Sequence, residues 1–224
     1  MAGNDATKKK RLTAVRCAIP VLQDRVTERY APGSLIASDY LRNRADSRPH
    51  ARALANFEEV WQERQRSQTR YSDGSFCVLY TATTEATARS ERCHWLKELA
   101  FKDGLTEIVR NVFFYRCRLN GTFSDQIQNW RARAWLVHPT DYTRCNELAR
   151  ENRLAGMDFM FVPSARRLNG CCIPVFNRGV AAVTSTTEGF DVRWDASQEI
   201  MYWHNGRARQ HIRIDDVYEL VTKA

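Results

Sequence analysis

The chain has 224 residues, of which 43% are hydrophobic and 27% are charged. These fractions are close to globular averages, so they exclude wholesale disorder and fibrous structure, and the length suits one domain with a sizeable core. The 34 lysines and arginines outnumber the 26 aspartates and glutamates and give a net charge of +8. That charge favours an anionic partner, such as nucleic acid, a phosphorylated cofactor or an acidic protein.

The predicted elements mix helices and strands without the regular alternation of βαβ units. Residues 1–12 are polar and lysine-rich and are predicted to form a flexible basic tail before one domain at 13–224. Periodicity predicts strands at 12–22, 76–81, 109–119, 132–139, 157–164 and 171–177, and helices at 51–66, 85–101 and 142–154. Thr83 or Thr84 is the expected N-cap of the second helix, and Asn120-Gly121 is an expected turn. The pattern predicts an α+β fold with mostly antiparallel strands.

The cysteines indicate a reducing compartment, and the hydrophobic segments are too short to cross a membrane. The seven cysteines are an odd number and contain no CxxC pair, which favours free thiols over disulfides or a zinc knuckle. No signal-peptide pattern follows the basic start, and no segment approaches the roughly 20 apolar residues that span a bilayer. The sequence therefore predicts a cytoplasmic protein with no membrane partner.

Several kinds of site find little support in the sequence. The histidines lie in separate segments without metal-ligand spacing, and there is no glycine-rich phosphate-binding loop. A nucleophile at Cys171 or Cys172 has no orienting partner nearby in sequence. Tryptophans interleaved with arginines leave open a basic, non-enzymatic nucleic-acid-binding protein, although the Lys/Arg blocks typical of such proteins are absent.

Three residues that could bind or act on a ligand lie at the ends of a predicted strand and on the helix that follows it. They belong to residues 70–91, RYSDGSFCVLYTATTEATARSE. Arg70 precedes the strand, Tyr80 ends it, and Glu91 lies on the following helix. A guanidinium has forked donors that suit a diphosphate, a tyrosine ring can stack on a flat heterocycle, and a carboxylate can stabilise a developing cation. These residues suit a dinucleotide whose glycosidic bond is broken, while two surface charges and a core tyrosine would show the same residue types.

This stretch resembles the signature of the RES-domain toxin family, in which an arginine, SDGS, a strand ending in tyrosine and an alanine precede a glutamate. A second match lies at residues 156–177, GMDFMFVPSARRLNGCCIPVFN, where Ser164 is the matching serine. Asn169 stands where a glycine is common in the family. At the front, RVTERYAPGSL resembles the opening motif of the family and adds Arg25 to the candidate residues.

The resemblance implies one RES domain at 13–224, with an ADP-ribosyltransferase-like fold. It implies a growth-arresting toxin that cleaves the nicotinamide–ribose bond of NAD, which is the substrate, with no cofactor. Glu91, Arg70 and Ser164 would be catalytic. Arg70 and Ser164, together with Tyr80 and Arg25, would bind NAD. The family also implies an Xre-type helix-turn-helix antitoxin as partner and a homodimer, without direct nucleic-acid binding. Transfer of ADP-ribose to a protein remains the alternative activity.

Overall fold

The computed structural model describes residues 10–29, 69–105, 107–186, 190–195, 197, 200–204 and 209–223. Within these ranges the elements are β1 (Lys10–Arg29), β2 (Leu79–Ala82), α1 (Glu85–Lys102), β3 (Glu107–Asp125), α2 (Thr143–Leu154), β4 (Phe159–Pro163), β5 (Cys171–Val175), β6 (Ala181–Thr186), β7 (Phe190–Asp195), β8 (Ile200–His204), β9 (Arg209–His211) and α3 (Val217–Thr222). Two 3-10 segments lie at Trp130–Val137 and Arg178–Val180. The helix predicted at 51–66 lies outside the described residues.

The strands belong to one sheet in which β3 is the central element. One edge of β3 pairs with β1 along its length, and the other edge pairs in turn with β7, β6 and β4. Among the described strands only β3 and β4 are parallel. Pairings of β1 with β2, β2 with β5 and β5 with β4 close a ring of strands back to β3. The α+β class with mostly antiparallel strands is confirmed.

The two long helices pack on the sheet through separate hydrophobic clusters. Beneath α1, Leu96 packs with Trp194 of β7 and Met201 of β8. Side chains of β4 alternate, as pleated strands require: Phe159 joins a cluster with β3 and β5, whereas Met160 joins the cluster beneath α2. The helix α2 therefore covers side chains of β4 and β5, and the loop that follows β4 contacts α1 at Glu91. No helix in the described ranges is long and apolar enough to cross a membrane.

Most predicted elements are present, with adjusted bounds. The strand predicted at 12–22 lies inside β1, which begins at Lys10, within the range predicted as tail. The helices predicted at 85–101 and 142–154 correspond to α1 and α2, and the strands predicted at 157–164 and 171–177 to β4 and β5. The strand predicted at 76–81 begins only at Leu79, because the Ser72 hydroxyl donates to the carbonyl of Phe76 and keeps the preceding residues in a turn.

Two predicted elements are wrong. The strand predicted at 132–139 is absent, because residues 132–137 belong to a 3-10 segment whose buried residues, Leu136 and Val137, are consecutive instead of alternating. The turn predicted at Asn120-Gly121 does not exist, since β3 continues to Asp125. Glycine is needed there for close packing: a β-carbon at Gly121 would lie 2.5 Å from Oδ2 of Asp158.

Candidate active site

Glu91 is placed by helix α1, which begins three residues after β2 ends. The helix starts at the predicted cap, where Oγ1 of Thr84 accepts a hydrogen bond from the backbone N–H of Thr87 at 3.2 Å. The short connection fixes the first turns of α1 over the ends of β2 and β5. Glu91, near the middle of the helix, therefore faces the loop that joins β4 to β5.

The carboxylate of Glu91 is held through one oxygen. Oε1 accepts hydrogen bonds from the Ser164 hydroxyl at 2.6 Å and the Ala165 backbone N–H at 3.1 Å, and a weaker one from the Cys172 thiol at 3.5 Å. Within the described ranges, no hydrogen bond reaches Oε2. Glu91 is half-buried, whereas Ser164 is 1% exposed. This arrangement fixes the carboxylate while leaving its second oxygen available to a ligand.

The loop from Ser164 to Gly170 supplies two of these donors, the Ser164 hydroxyl and the Ala165 N–H. Its ends are joined by a hydrogen bond from the Ser164 N–H to the Gly170 carbonyl at 2.9 Å, and the Ser164 hydroxyl oxygen also accepts from the Arg166 N–H at 3.2 Å. Asn169 adopts a φ of 63°. Asparagine tolerates this left-handed conformation better than most residues, so its replacement of the family's usual glycine preserves the loop.

Arg70 lies on the other side of the site, fixed by backbone carbonyls. Its Nη1 donates to the carbonyl of His138 at 2.6 Å and more weakly to that of Leu136 at 3.4 Å. The guanidinium carbon lies 4.5 Å from the ring centroid of Tyr142, in a cation–π contact. Both carbonyls belong to the 3-10 segment and its end, so the element mistaken for a strand positions this arginine.

Two arginines share the electrostatic environment of Glu91. Burial opposes the charge on Arg70, but Tyr71, Tyr142 and Glu91 outweigh it and raise the pKa of Arg70. Burial, followed by the nearby charge of Arg70, lowers the pKa of Arg166, and Glu91 partly compensates. Arg166 is only 7% exposed. Sequence reasoning missed Arg166 as a site residue, although its position two residues after Ser164 in the VPSAR motif was a usable signal.

Tyr80 supports the turn that carries Arg70. Its hydroxyl accepts a hydrogen bond from the Tyr71 N–H at 2.9 Å and shares another with the Thr69 hydroxyl at 2.6 Å. Its half-buried ring packs in the cluster beneath α2. The predicted stacking of this ring on a bound base stays a prediction. Arg25 lies in β1 beside a register shift between Leu22 and Val26, and its contribution to binding also stays a prediction.

His94 is a further residue on the face of α1 that carries Glu91. It lies one turn beyond Glu91 and its side chain is 23% exposed. Burial, followed by the charges of Arg166 and Arg70, lowers the pKa of His94 to about 3, so its imidazole is neutral near pH 7. The sequence was tested for a metal-ligand role of this histidine, and its spacing did not support one. No group of three or more potential metal-ligating side chains occurs in the part of the chain that the structure describes.

The buried cysteine next to Glu91 is poorly suited to be a nucleophile. Burial, followed by the negative charge of Glu91, raises the pKa of Cys172 well above its ordinary value. The thiol therefore stays protonated, and it donates to the carboxylate instead of attacking a substrate.

The fold and the site define a small α+β protein with one fixed carboxylate and two buried or half-buried arginines. A family model for the RES domain matches residues 12–195, and the chain belongs to this family, as the sequence motifs predicted. No curated protein matched the chain. Among solved structures, a chain in the crystal structure of the M. tuberculosis MbcT–MbcA toxin–antitoxin complex is similar, with a TM-score of 0.43 and 11% identity over 96% of this chain and 92% of that one.

Proposed function

We propose that this protein is the toxin of a toxin–antitoxin system and arrests growth by cleaving the nicotinamide–ribose bond of NAD. The observation that carries the proposal is the carboxylate of Glu91. Three donors hold Oε1, the described residues leave Oε2 without a hydrogen bond, and Arg70 and Arg166 lie within electrostatic reach. A carboxylate fixed in this way stabilises a developing cation without having to reorganise.

In this proposal, the charged side chains of the site bind different parts of NAD. Arg70 and Arg166 supply two fixed positive charges for the diphosphate, and guanidinium groups suit phosphate oxygens because their donors are planar and forked. The carboxylate of Glu91 then faces the nicotinamide ribose. Ser164 acts by fixing Glu91, and Tyr80 and Arg25 complete the binding surface. No cofactor takes part in this scheme.

The reaction requires one bond to break and one to form. The electron pair of the C–N glycosidic bond leaves with the nicotinamide ring, which starts as a cation and departs neutral. Positive charge develops at C1′ of the ribose, opposite Oε2 of Glu91. Water adds to C1′ and loses a proton to solvent, so the products are nicotinamide, ADP-ribose and a proton. The leaving group needs no acid, which agrees with a site built around one carboxylate.

Replacement of Glu91 by glutamine tests this role. Glu91→Gln keeps the size of the side chain and an oxygen that can accept from Ser164, but removes the charge. We expect nicotinamide release from NAD to fall by about 10²–10³-fold in kcat. Glu98→Gln, at an exposed position on the same helix, is the control and should act like the wild type. Equal nicotinamide release by the wild type and Glu91→Gln would contradict the proposal.

Hydrolysis and ADP-ribose transfer begin with the same cleavage and differ in the nucleophile that reaches C1′. Incubation of the protein with labelled NAD and a cell lysate separates them. Label in free ADP-ribose supports hydrolysis, and label on a protein band supports the ADP-ribosyltransferase alternative. Binding to nucleic acid that strengthens at low salt, with NAD left intact, would instead favour the non-enzymatic alternative.

The proposed setting is the one expected of a RES toxin. The protein would act in the cytoplasm as a homodimer and be inhibited by an Xre-type helix-turn-helix antitoxin. The net charge of +8 favours an antitoxin with an acidic contact surface.

A further inference from the structure

The segment that follows β9 returns to the loop that carries Ser164, although it lies beyond the residues matched by the family model. The backbone N–H of Asp215 donates to the carbonyl of Arg166 at 2.9 Å, and that of Val217 to the carbonyl of Ala165 at 3.4 Å. In return, Oδ2 of Asp215 accepts from the backbone N–H of Leu168 at 2.8 Å. One short segment therefore bonds three successive parts of the loop.

The same segment also contacts the two other elements of the site. Ser90, the residue before Glu91 on α1, donates its hydroxyl to the carbonyl of Arg213 at 2.7 Å. The ring of Tyr218 packs edge-on against His138, with ring centroids 4.6 Å apart. His138 is the residue whose carbonyl accepts from Arg70. Residues 213–218 thus connect the glutamate helix, the serine loop and the carbonyl that fixes the arginine.

Within this segment, Asp215 binds the loop through its side chain as well as its backbone, and its other carboxylate oxygen, Oδ1, accepts from Nε of Arg213 at 2.5 Å. The Asp215 side chain is 9% exposed, so water competes poorly for its hydrogen bond with the Leu168 N–H. Loss of the carboxylate would leave that N–H without its acceptor, at the point where the loop turns back towards Gly170. Without this hydrogen bond the loop can move, and the Ser164 hydroxyl and the Ala165 N–H are no longer held within hydrogen-bond distance of Oε1 of Glu91.

We propose that Asp215 is a positioning residue of the active site, acting through the Ser164–Gly170 loop on the carboxylate of Glu91. The inference rests on the proposed function for its catalytic consequence, but its structural part stands on the hydrogen bonds alone. With this role for Asp215, the active site includes the segment that leads into α3, beyond the residues matched by the RES family model.

The test compares Asp215→Ala and Asp215→Asn in the full chain, because asparagine keeps an oxygen that accepts from Leu168. Glu219→Ala, an exposed change on α3, is the control. Amide hydrogen exchange followed by NMR should show Leu168 and Arg166 exchanging about tenfold faster in Asp215→Ala. In the same variant, kcat for NAD cleavage should fall by roughly 10–100-fold with a small change in KM. Asp215→Asn and the control should stay within about threefold of the wild type in both measurements.

Unchanged exchange at Leu168 in Asp215→Ala would overturn the proposal. An Asp215→Asn protein as impaired as Asp215→Ala would also overturn it, because the effect would then belong to charge and not to the hydrogen bond. A wild-type protein that leaves NAD intact would overturn the proposed function instead, while the exchange measurement would still decide whether Asp215 holds the loop.

Discussion

Around the carboxylate of Glu91, three donors of different kinds meet at one oxygen: a hydroxyl, a backbone N–H and a thiol. The motifs predicted Glu91 and Ser164, because the resemblance to the RES family rests on these side chains. The N–H of Ala165 leaves none, since every residue except proline has one. Cys172 looks like an ordinary core residue, and only its contact with Glu91 distinguishes it.

Arg166 should contribute mainly to substrate binding. Arg166→Gln removes one of the two positive charges near Glu91, so we expect KM for NAD to rise by about tenfold or more, with a smaller change in kcat. Arg167→Gln, at the neighbouring half-buried position, is the matched control, and its KM should stay close to that of the wild type. Initial-rate kinetics of nicotinamide release measure both constants. Equal KM values for the two variants would remove Arg166 from the binding surface.

At the scale of elements, the loop between β4 and β5 must lie close to the first turn of α1. A β-carbon added at Gly170 would lie 2.9 Å from Oγ1 of Thr87 and 3.0 Å from Cβ of Ser164. The sequence predicted the helix and both strands, because their periodicity is strong. It could not predict the 3-10 segment that accepts from Arg70, because the short apolar run AWLV fits a strand equally well.

Gly170→Ala should loosen this junction. The added methyl group forces the loop away from α1, and we expect a loss of about 1–3 kcal/mol in the free energy of unfolding, together with reduced NAD cleavage. Gly179→Ala is the control, since its β-carbon would meet only the flexible side chain of Asn177, at 3.3 Å. Urea denaturation followed by tryptophan fluorescence measures both variants. Equal stabilities would show that the loop can move without cost.

At the scale of the whole molecule, a histidine and several charges are gathered beneath one helix. Burial, followed by the charges of Arg166, Arg70 and Lys97, lowers the pKa of His94, Asp216 opposes this shift, and Oε1 of Glu98 lies 3.9 Å from Nε2. These groups come from four different parts of the chain, since His94, Lys97 and Glu98 all lie on α1. The sequence could not predict this grouping, nor the ring of strands with its pairing of Ala18 and Ala82, because both join residues that are far apart in the chain.

The partly buried His94 should make the folded protein sensitive to mild acid. Its pKa is about 3 in the folded chain and near 6.5 when unfolded, so only the unfolded chain takes up the proton between these values. Stability is therefore full above pH 6.5 and falls as the pH decreases towards 3. When the pH is lowered from 7.5 to 5, the free energy of unfolding of the wild type should decrease by about 2 kcal/mol more than that of His94→Gln. Urea denaturation at both pH values checks this, with the exposed His211→Gln as control; equal losses in wild type and His94→Gln would contradict it.

The hydrogen bonds that build the site join residues far apart in sequence: 68 positions separate Arg70 from His138, and 73 separate Glu91 from Ser164. Asp215 must then fold back onto Leu168, 47 positions earlier. During translation the nascent chain therefore carries an incomplete site until Asp215 has left the ribosome exit tunnel. Under the proposed function, NAD cleavage would therefore depend on contacts that form only after Asp215 has been synthesised.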